Sequence, residues 1–409
     1  MVEMINEKRA ISDSSVNSIS LYIVSYVFSH SHGMRHLALI NAVKSYFNRI
    51  EVISSWPFVK PINNQNILLL KNLGVKLRLI PSLDFLTKFS RIFHGISLLF
   101  ELHAMWSFLV TMYLFKIMLD TTTKTHIIIL SYPPLSSLVP LFPIWMLAKL
   151  AKISGKKIVI VVDIRDELVD NPYIKYVCLD LLIITFAEKV LFILSDIVVV
   201  ATKGYENLYK LKYPQHSKKV ITCYSGIVKM PQNNDSTSPL KAIGYFGNIY
   251  GLRRDVFETF MDKVDPRIDV HVYSGSNKWL MKLSRRYPNL HVFSPVYGEE
   301  YYSLLSRYSA VLLIITPGQG GARNIPYKLF DYIAYANVVI VIGAKGEAIQ
   351  ILEDTQVPYI YVDLCNFNEK YVLDVDDLRY IRGSSALRKL EQYTCYKTWV
   401  PLLEAVLNE

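Results

Sequence analysis

The sequence predicts an α/β protein made of two parallel sheets, each wrapped in helices. Short, almost wholly apolar segments such as Ser20–Phe28, His126–Leu130, Asp196–Ala201 and Ala310–Ile315 recur between helical patterns, as strands do when both faces of a parallel sheet are covered. One polar stretch ending in proline, Ser225–Pro239, interrupts that rhythm. Glycine-bearing turns follow strands in both halves, at the sheet edge where open α/β folds hold their ligands. At 409 residues the chain is long enough for two full cores. The expected layout is an N-terminal tail at 1–19, a first domain at 20–224, a linker at 225–240, a second domain at 241–393 and a terminal helix at 394–409.

Composition narrows the class. Half of the chain is apolar (51%) and 20% is charged, with no low-complexity tract, so a globular protein is expected apart from a ragged N-terminus. Cys178, Cys223, Cys365 and Cys395 stand far apart and match neither a zinc spacing nor a disulfide framework, which favours a reducing compartment. No charged-apolar-small pattern opens the chain, so no secretory signal is read. A cytoplasmic place at the inner face of the cell membrane is expected. The formal net charge of +10 asks for an anionic partner. Nucleic acid is disfavoured, because the basic residues gather into no arm or recognition helix. A positive mean hydropathy (+0.23) turns the charge toward a nucleotide or a membrane surface.

The first strand, Ser20–Phe28, runs into Ser29-His30-Ser31-His32-Gly33-Met34-Arg35-His36 before a helical pattern to about Phe47 and a strand at Arg49–Ser55. Gly33 in that turn permits the close backbone approach a phosphate needs. His30, His32 and His36 have no cysteine or carboxylate beside them, so no metal is expected. Val75–Ile80 is a further strand. Gly95–Leu119 is apolar on nearly every side and approaches the length of a membrane span, but Glu101, His103 and Lys116 interrupt it. A carboxylate inside a bilayer costs about 2.5–3.5 kcal/mol, so the expectation is a long helix, partly core and partly in peripheral contact with a membrane. His126–Leu130 ends in Ser131-Tyr132-Pro133-Pro134, and a helix follows from about Leu135 to Ser154. Strand Lys156–Val162 then leads to Asp163-Ile164-Arg165-Asp166-Glu167, a charged cluster that is costly to bury unless paired. A helix at Val177–Leu194, a strand at Asp196–Ala201 and a helix after Thr202-Lys203-Gly204 complete the first sheet.

Past the linker, Ala242–Phe246 ends in Gly247-Asn248-Ile249-Tyr250-Gly251, and Arg253 and Arg254 open the next helix. Backbone N–H groups and guanidinium groups together suit a diphosphate. Strands follow at Ile268–Tyr273, Leu290–Phe293 and Ala310–Ile315. The last passes through a glycine-rich loop into Asn324-Ile325-Pro326-Tyr327-Lys328-Leu329-Phe330-Asp331-Tyr332-Ile333-Ala334. Asn324 is expected to cap this helix and Pro326 to sit in its first turn. Leu329, Phe330, Ile333 and Ala334 give it a buried face, while Lys328 and Asp331, three apart, share another. A helix start beside a lysine is a phosphate site, and a carboxylate one turn deeper can accept from a pair of hydroxyls. Phosphate beside ribose is what a nucleoside diphosphate requires. Val338–Ile342 is the last strand, and the helix Thr394–Leu407 carries Trp399. Two such sheets imply a ligand held in the cleft between them.

These pieces resemble the GT-B glycosyltransferases, family 4 in particular. Gly244–Asn248, Val296-Tyr297-Gly298, Tyr301–Leu313 and Pro326–Ala334 carry the resemblance in the second half. Gly33-Met34-Arg35, Ser131–Pro134, Asp163–Asp166 and Asp196–Thr202 carry it in the first. It implies two Rossmann-like parallel-sheet domains facing each other across a cleft. It further implies transfer of a sugar from a nucleotide diphosphate sugar, with retention, to a lipid-linked or growing glycan, without a cofactor or an obligatory metal. By position it gives Asp331 to the ribose, Lys328 and Arg253 or Arg254 to the diphosphate, and the backbone near Val296 and Tyr297 to the base. Gly33, Gly247, Asn248 and Asn324 would also line the donor. Asp163, Arg165, Asp166 and Lys328 would face the reacting centre, with Arg35 and His36 toward the acceptor. Many members carry glutamates at E-x(7)-E spacing, where this chain has Arg323 and Asp331, a charge reversal at the first position. Many also carry a histidine where this chain has the Asp163–Asp166 segment. The same fold hosts nucleotide-sugar 2-epimerases, and Arg323 motivates a further reading, a nucleotide-sugar-binding partner subunit without turnover.

Overall fold

A computed structural model describes residues 19–25, 30–56, 70–81, 104–119, 123–133, 135–169, 171, 178–231, 240–275, 278–362 and 389–408. Two all-parallel sheets organise them. β1 (Ile19–Val24), β2 (Arg49–Trp56), β3 (Lys76–Pro81), β4 (Thr125–Tyr132), β5 (Lys157–Ile164), β6 (Ile197–Val200) and β7 (Val220–Thr222) form a seven-stranded sheet ordered β3-β2-β1-β4-β5-β6-β7. β8 (Leu240–Phe246), β9 (Asp269–Tyr273), β10 (Leu290–Phe293), β11 (Tyr308–Ile314), β12 (Val339–Ile342) and β13 (Tyr359–Val362) form a six-stranded sheet ordered β10-β9-β8-β11-β12-β13. The strand order therefore reverses at the same point in both, β1/β4 and β8/β11, and such a reversal opens a crevice at the C-terminal strand ends.

The described helices, in chain order, are α1 (His30–Val43), α2 (Ala104–Met118), α3 (Leu141–Ile153), α4 (Cys178–Leu194), α5 (Lys203–Lys212), α6 (Arg253–Lys263) and α7 (Lys278–Arg286). They continue with α8 (Gly298–Arg307), α9 (Gln319–Arg323), α10 (Lys328–Tyr335), α11 (Glu347–Thr355), α12 (Cys395–Thr398) and α13 (Val400–Asn408). Strand alternation sorts the first core into two layers. Tyr22, Val24, Ile128, Leu130, Ile160 and Val162 pack toward α2, α3 and α4, while Leu21, Ile23, Ile127, Ile129, Val159 and Val161 pack toward α1 and the terminal helices.

The chain returns to the first domain at its end. Trp399, Leu402, Leu403 and Val406 join Leu37, Ile127 and Ile129 in the N-terminal core, each such burial contributing about 1.5–3 kcal/mol. The outgoing and returning segments are hydrogen-bonded to each other where they cross: Ile227 N donates to Tyr393 O at 2.7 Å and Cys395 N to Ile227 O at 3.0 Å. Gly226 permits this closeness, since at φ +75° a Cβ there would lie 2.6 Å from Thr398 Oγ1.

Some expected elements change. Gly33 is not in a turn ahead of the first helix but within the first turn of α1, which starts at His30. The glycine-rich stretch before Asn324 coils into the short helix α9. Of Gly95–Leu119, residues 95–103 lie outside the described ones, and α2 begins at Ala104. α2 buries Trp106, Val110, Leu114 and Ile117 in the core and turns Phe108, Met112 and Phe115 outward. Among the described residues no helix is long and apolar enough to cross a membrane. Each sheet also gains an edge strand, β7 and β13, of three and four residues.

Candidate active site

β8 ends in a tight turn at Gly247, whose φ of +122° favours glycine. The turn lies over Lys328, the first residue of α10: a Cβ on Gly247 would sit 3.2 Å from Lys328 Nζ. The ammonium also stands 3.8 Å from the centre of the buried Tyr245 ring, a cation–π contact. Arg253, the first residue of α6, joins it and donates from Nε to Thr316 Oγ1 at 3.2 Å. Burial, and then the charge of Arg253, pull Lys328 well below the usual lysine pKa. Among the described residues Lys328 forms no salt bridge.

The start of α10 departs from expectation. Asn324 does not cap it; Tyr327 occupies that position without a side-chain cap. The first turn satisfies its own donors, with Leu329 N bonded to Pro326 O at 2.9 Å and Phe330 N to Tyr327 O at 3.1 Å. The side chains of Lys328 and Arg253 bring cationic groups to the same point. One turn deeper, Asp331 is 4% exposed and accepts from Tyr301 Oη at 3.1 Å through Oδ2. Burial raises its carboxyl to about 7, against the lowering effect of the Tyr301 hydrogen bond.

On the opposite lip, β5 delivers Asp163, which is buried and held by Arg35. Arg35 donates from Nη2 at 2.7 Å and from Nε at 3.0 Å, and Ser131 Oγ adds a bond at 3.1 Å. Burial alone would raise the Asp163 carboxyl; the charge and hydrogen bonds of Arg35, together with the charges of Arg165 and His36, outweigh it and hold the carboxyl below its ordinary value. Arg35 further donates from Nη1 to Cys223 O at 2.7 Å and lies 4.6 Å from the Trp399 ring centre. The acceptor-side Arg35 and the reacting-centre Asp163 of the sequence reading are thus bonded to each other, with His36 buried beside them. Arg165 donates to Pro133 O at 2.9 Å and Tyr132 O at 3.3 Å, and burial lowers its pKa. Burial raises the carboxyl of Asp166 against the charges of Arg165 and, from the second domain, Arg253. Asn324 Nδ2 reaches Asp166 Oδ1 at 3.5 Å.

The structure therefore brings Asp166, Arg253, Asn324 and Lys328 to one gap between the sheets. Arg254 goes elsewhere: it is exposed and lies 5.4 Å from the Trp279 ring centre. Val296 packs on the second core, and Tyr297 is 44% exposed at the start of α8. Asn248 Oδ1 accepts from Ser274 Oγ at 3.1 Å and Gly275 N at 3.3 Å, tying together the loops after β8 and β9. One cluster of potential metal ligands occurs among the described residues, Asp269 and His271 on β9 with His291 on the edge strand β10.

Two interdomain contacts made by carboxylates escape sequence reasoning. Glu167 accepts from Arg323 Nε at 2.6 Å, so the reversed charge of Arg323 meets an acid from the other domain. Glu347, at the start of α11, accepts from Lys203 N at 2.9 Å and Gly204 N at 2.8 Å, and from Tyr224 Oη at 2.5 Å. It caps the N-terminus of α5 from across the interface. Thr202 Oγ1 adds a bond to Arg323 O at 2.8 Å. The charged cluster that includes Glu167 and the unusual sign of Arg323 hinted at the first contact; nothing hinted at the second.

Solved structures share this architecture over nearly the whole chain. The N-terminal domain of trehalose-6-phosphate phosphatase from Candida albicans gives a TM-score of 0.60 at 10% identity, covering 97% of this chain and 98% of that one. A protein assigned as a UDP-N-acetylglucosamine 2-epimerase from Listeria monocytogenes gives 0.55 at 12% identity over 96% of both. A glycosyltransferase from Rickettsia africae gives 0.52 at 11% identity over 96% and 94%. The fold is GT-B. Identities this low carry the GT-B architecture and nothing finer. No protein-family profile matches the sequence, and none of the curated proteins does.

Proposed function

We propose that the protein is a GT-B glycosyltransferase of the family 4 type. It would move a sugar from a nucleoside diphosphate sugar, with retention, to a hydroxyl of a glycan or glycolipid. The observation that carries this reading is the pairing of Lys328 with Arg253 at the mouth of the second sheet. Lys328 is desolvated, forms no salt bridge among the described residues and stands beside a second cation, so an anion bound here would stabilise its charge. A diphosphate fits that need.

Breaking a sugar–phosphate bond builds negative charge on the departing diphosphate, and Lys328 and Arg253 stabilise it. Asp331, oriented by Tyr301, receives the ribose hydroxyls. Asp166 faces the gap from the other lip and suits the acceptor hydroxyl, whose proton passes to the leaving phosphate in a same-face transfer; no protein nucleophile is needed. Arg35 and Asp163 we assign to positioning, because their mutual bonds fix the end of β5. Arg323 is neutralised by Glu167, so the donor sugar meets a paired rather than a lone cation.

The test is a thermal-shift screen against UDP, GDP, ADP and their sugars, followed by turnover with whichever donor binds. A raised melting point that Lys328→Ala abolishes supports the reading. No rise with any nucleoside diphosphate would overturn it. The likeness to the Listeria protein favours a second reading, a 2-epimerase-like enzyme. Incubation with donor alone separates the two, since only the epimerase would release free sugar without an acceptor.

A further inference from the structure

α2, α3 and α4 lie side by side on one face of the first sheet, with α3 in the middle. A helix that covers a sheet in water normally turns charged residues outward. These three do not. α2 exposes Phe108, Met112 and Phe115, with Leu119 following; α3 exposes Phe142, Met146, Leu150 and Ile153; α4 exposes Leu182, Phe186 and Ile193. Each row keeps the i, i+4 and i+11 spacing that marks one helical stripe. Phe108 is 61% exposed, Phe142 55% and Phe186 70%. Soluble monomers rarely show a contiguous apolar patch above roughly 300–600 Å².

The charges on this face have one sign. Every exposed charged side chain described on the three helices is a lysine: Lys116, Lys149, Lys152 and Lys189. The two acids, Asp180 and Glu188, are buried. Their placement is also polar along the helix axes. α3 and α4 follow β4 and β5, so they begin at the C-terminal edge of the sheet beside the cleft; α2, which precedes β4, begins there too. Lys156 Nζ, donating to Met118 O at 2.8 Å, ties the far ends of α2 and α3 together. All four lysines fall in the second half of their helices, away from the cleft. Among the described residues, the exposed side chains in the halves beside the cleft are all apolar.

We infer that this three-helix face docks on an anionic lipid bilayer, with the cleft-side ends of α2, α3 and α4 in the interface and the lysines at headgroup level. An apolar stripe with a basic fringe is the pattern of an interfacial helix. A second copy of the chain fits worse, because among the described residues of the three helices this face offers the lysines no exposed acid. Docking of this kind turns the mouth of the cleft toward the membrane and brings a lipid-linked hydroxyl within its reach. The inference rests on the surface alone and does not require the transfer reaction.

Vesicle flotation of the full chain tests it. The expected result is co-flotation with phosphatidylcholine vesicles containing about a third phosphatidylglycerol, and at least about tenfold less with phosphatidylcholine alone. The triple variant Phe108→Asp/Phe142→Asp/Phe186→Asp should stay at the bottom while melting as cooperatively as the parent. Should that variant misfold, Lys116→Gln/Lys149→Gln/Lys152→Gln/Lys189→Gln gives the second arm and should lose the preference for anionic vesicles. A parent that stays at the bottom with anionic vesicles overturns the inference, as does a folded triple variant that floats like the parent. A parent that sediments as a dimer, becomes monomeric in the triple variant and never floats assigns the face to self-association and overturns it too. Nucleotide-dependent melting is read separately, so failure here leaves the donor site standing.

Discussion

The two lips of the cleft handle charge in opposite ways. On the N-terminal lip, Arg35 and Asp163 neutralise each other, Arg165 is bonded to two carbonyls, and Glu167 meets Arg323. On the C-terminal lip, Lys328 sits beside Arg253 above an aromatic ring, and Asp331 holds a carboxyl whose ionisation burial opposes. On the proposed function, the Arg35–Asp163 side is finished by folding, whereas the Lys328 side is completed by a donor. Substitutions at Arg35 and Asp163 should report stability; substitutions at Lys328 and Asp331 should report binding and turnover.

The sharpest way to break this contrast is Arg35→Ala. It leaves the Asp163 carboxylate buried without its guanidinium and should cost about 3–5 kcal/mol in urea unfolding. A loss of activity without loss of stability would place Arg35 on the reacting side instead. Next comes Lys328→Ala, expected to lower kcat/KM by roughly 100-fold to 1,000-fold while the unfolding curve stays put or moves toward greater stability. A variant that turns over like the parent would remove α10 from the chemistry.

The pH dependence of Asp331 sharpens the same point. Its folded carboxyl lies near 7 against an ordinary 3.8, so the native state binds more protons than the unfolded chain between those values. Stability of the ligand-free protein should therefore fall as pH rises from 3.8 toward about 7, then level off. Donor binding has the opposite sign, since the ionised carboxylate is the better acceptor of ribose hydroxyls. Donor KM should rise as pH drops below about 7, by up to about tenfold per unit, and Asp331→Asn should flatten both profiles. The smallest effect is expected for Glu347→Ala, which uncaps α5 across the interface and should cost about 1–2 kcal/mol. If it also alters KM for the acceptor, the lips are coupled more tightly than their charges suggest.

Much of the fold was legible because buried parallel strands are long apolar runs, and runs such as His126–Leu130 and Ala310–Ile315 have no other easy reading. β7 and β13 were not, because three or four residues at a sheet edge carry too little periodicity. In the candidate site, Lys328 and Asp331 could be placed on one helix from their spacing. Arg35 and Asp163 are 128 residues apart, and Glu347 and Lys203 are 144 apart; no local pattern records such meetings. Asn324 misled for a related reason. Its cap preference is a local tendency, and the contact it makes instead, with Asp166, depends on how the domains face each other.

The seam where Ile227 lies against Tyr393 and Cys395 has a mechanical consequence. The polypeptide passes between the halves twice, yet the two passages are stitched into one ribbon. A ribbon bends readily about a single line and resists sliding or wringing. The second half should consequently move like a door on one post: contacts close to the post shift little, and the widest travel falls at the mouth, where substrates enter and products leave.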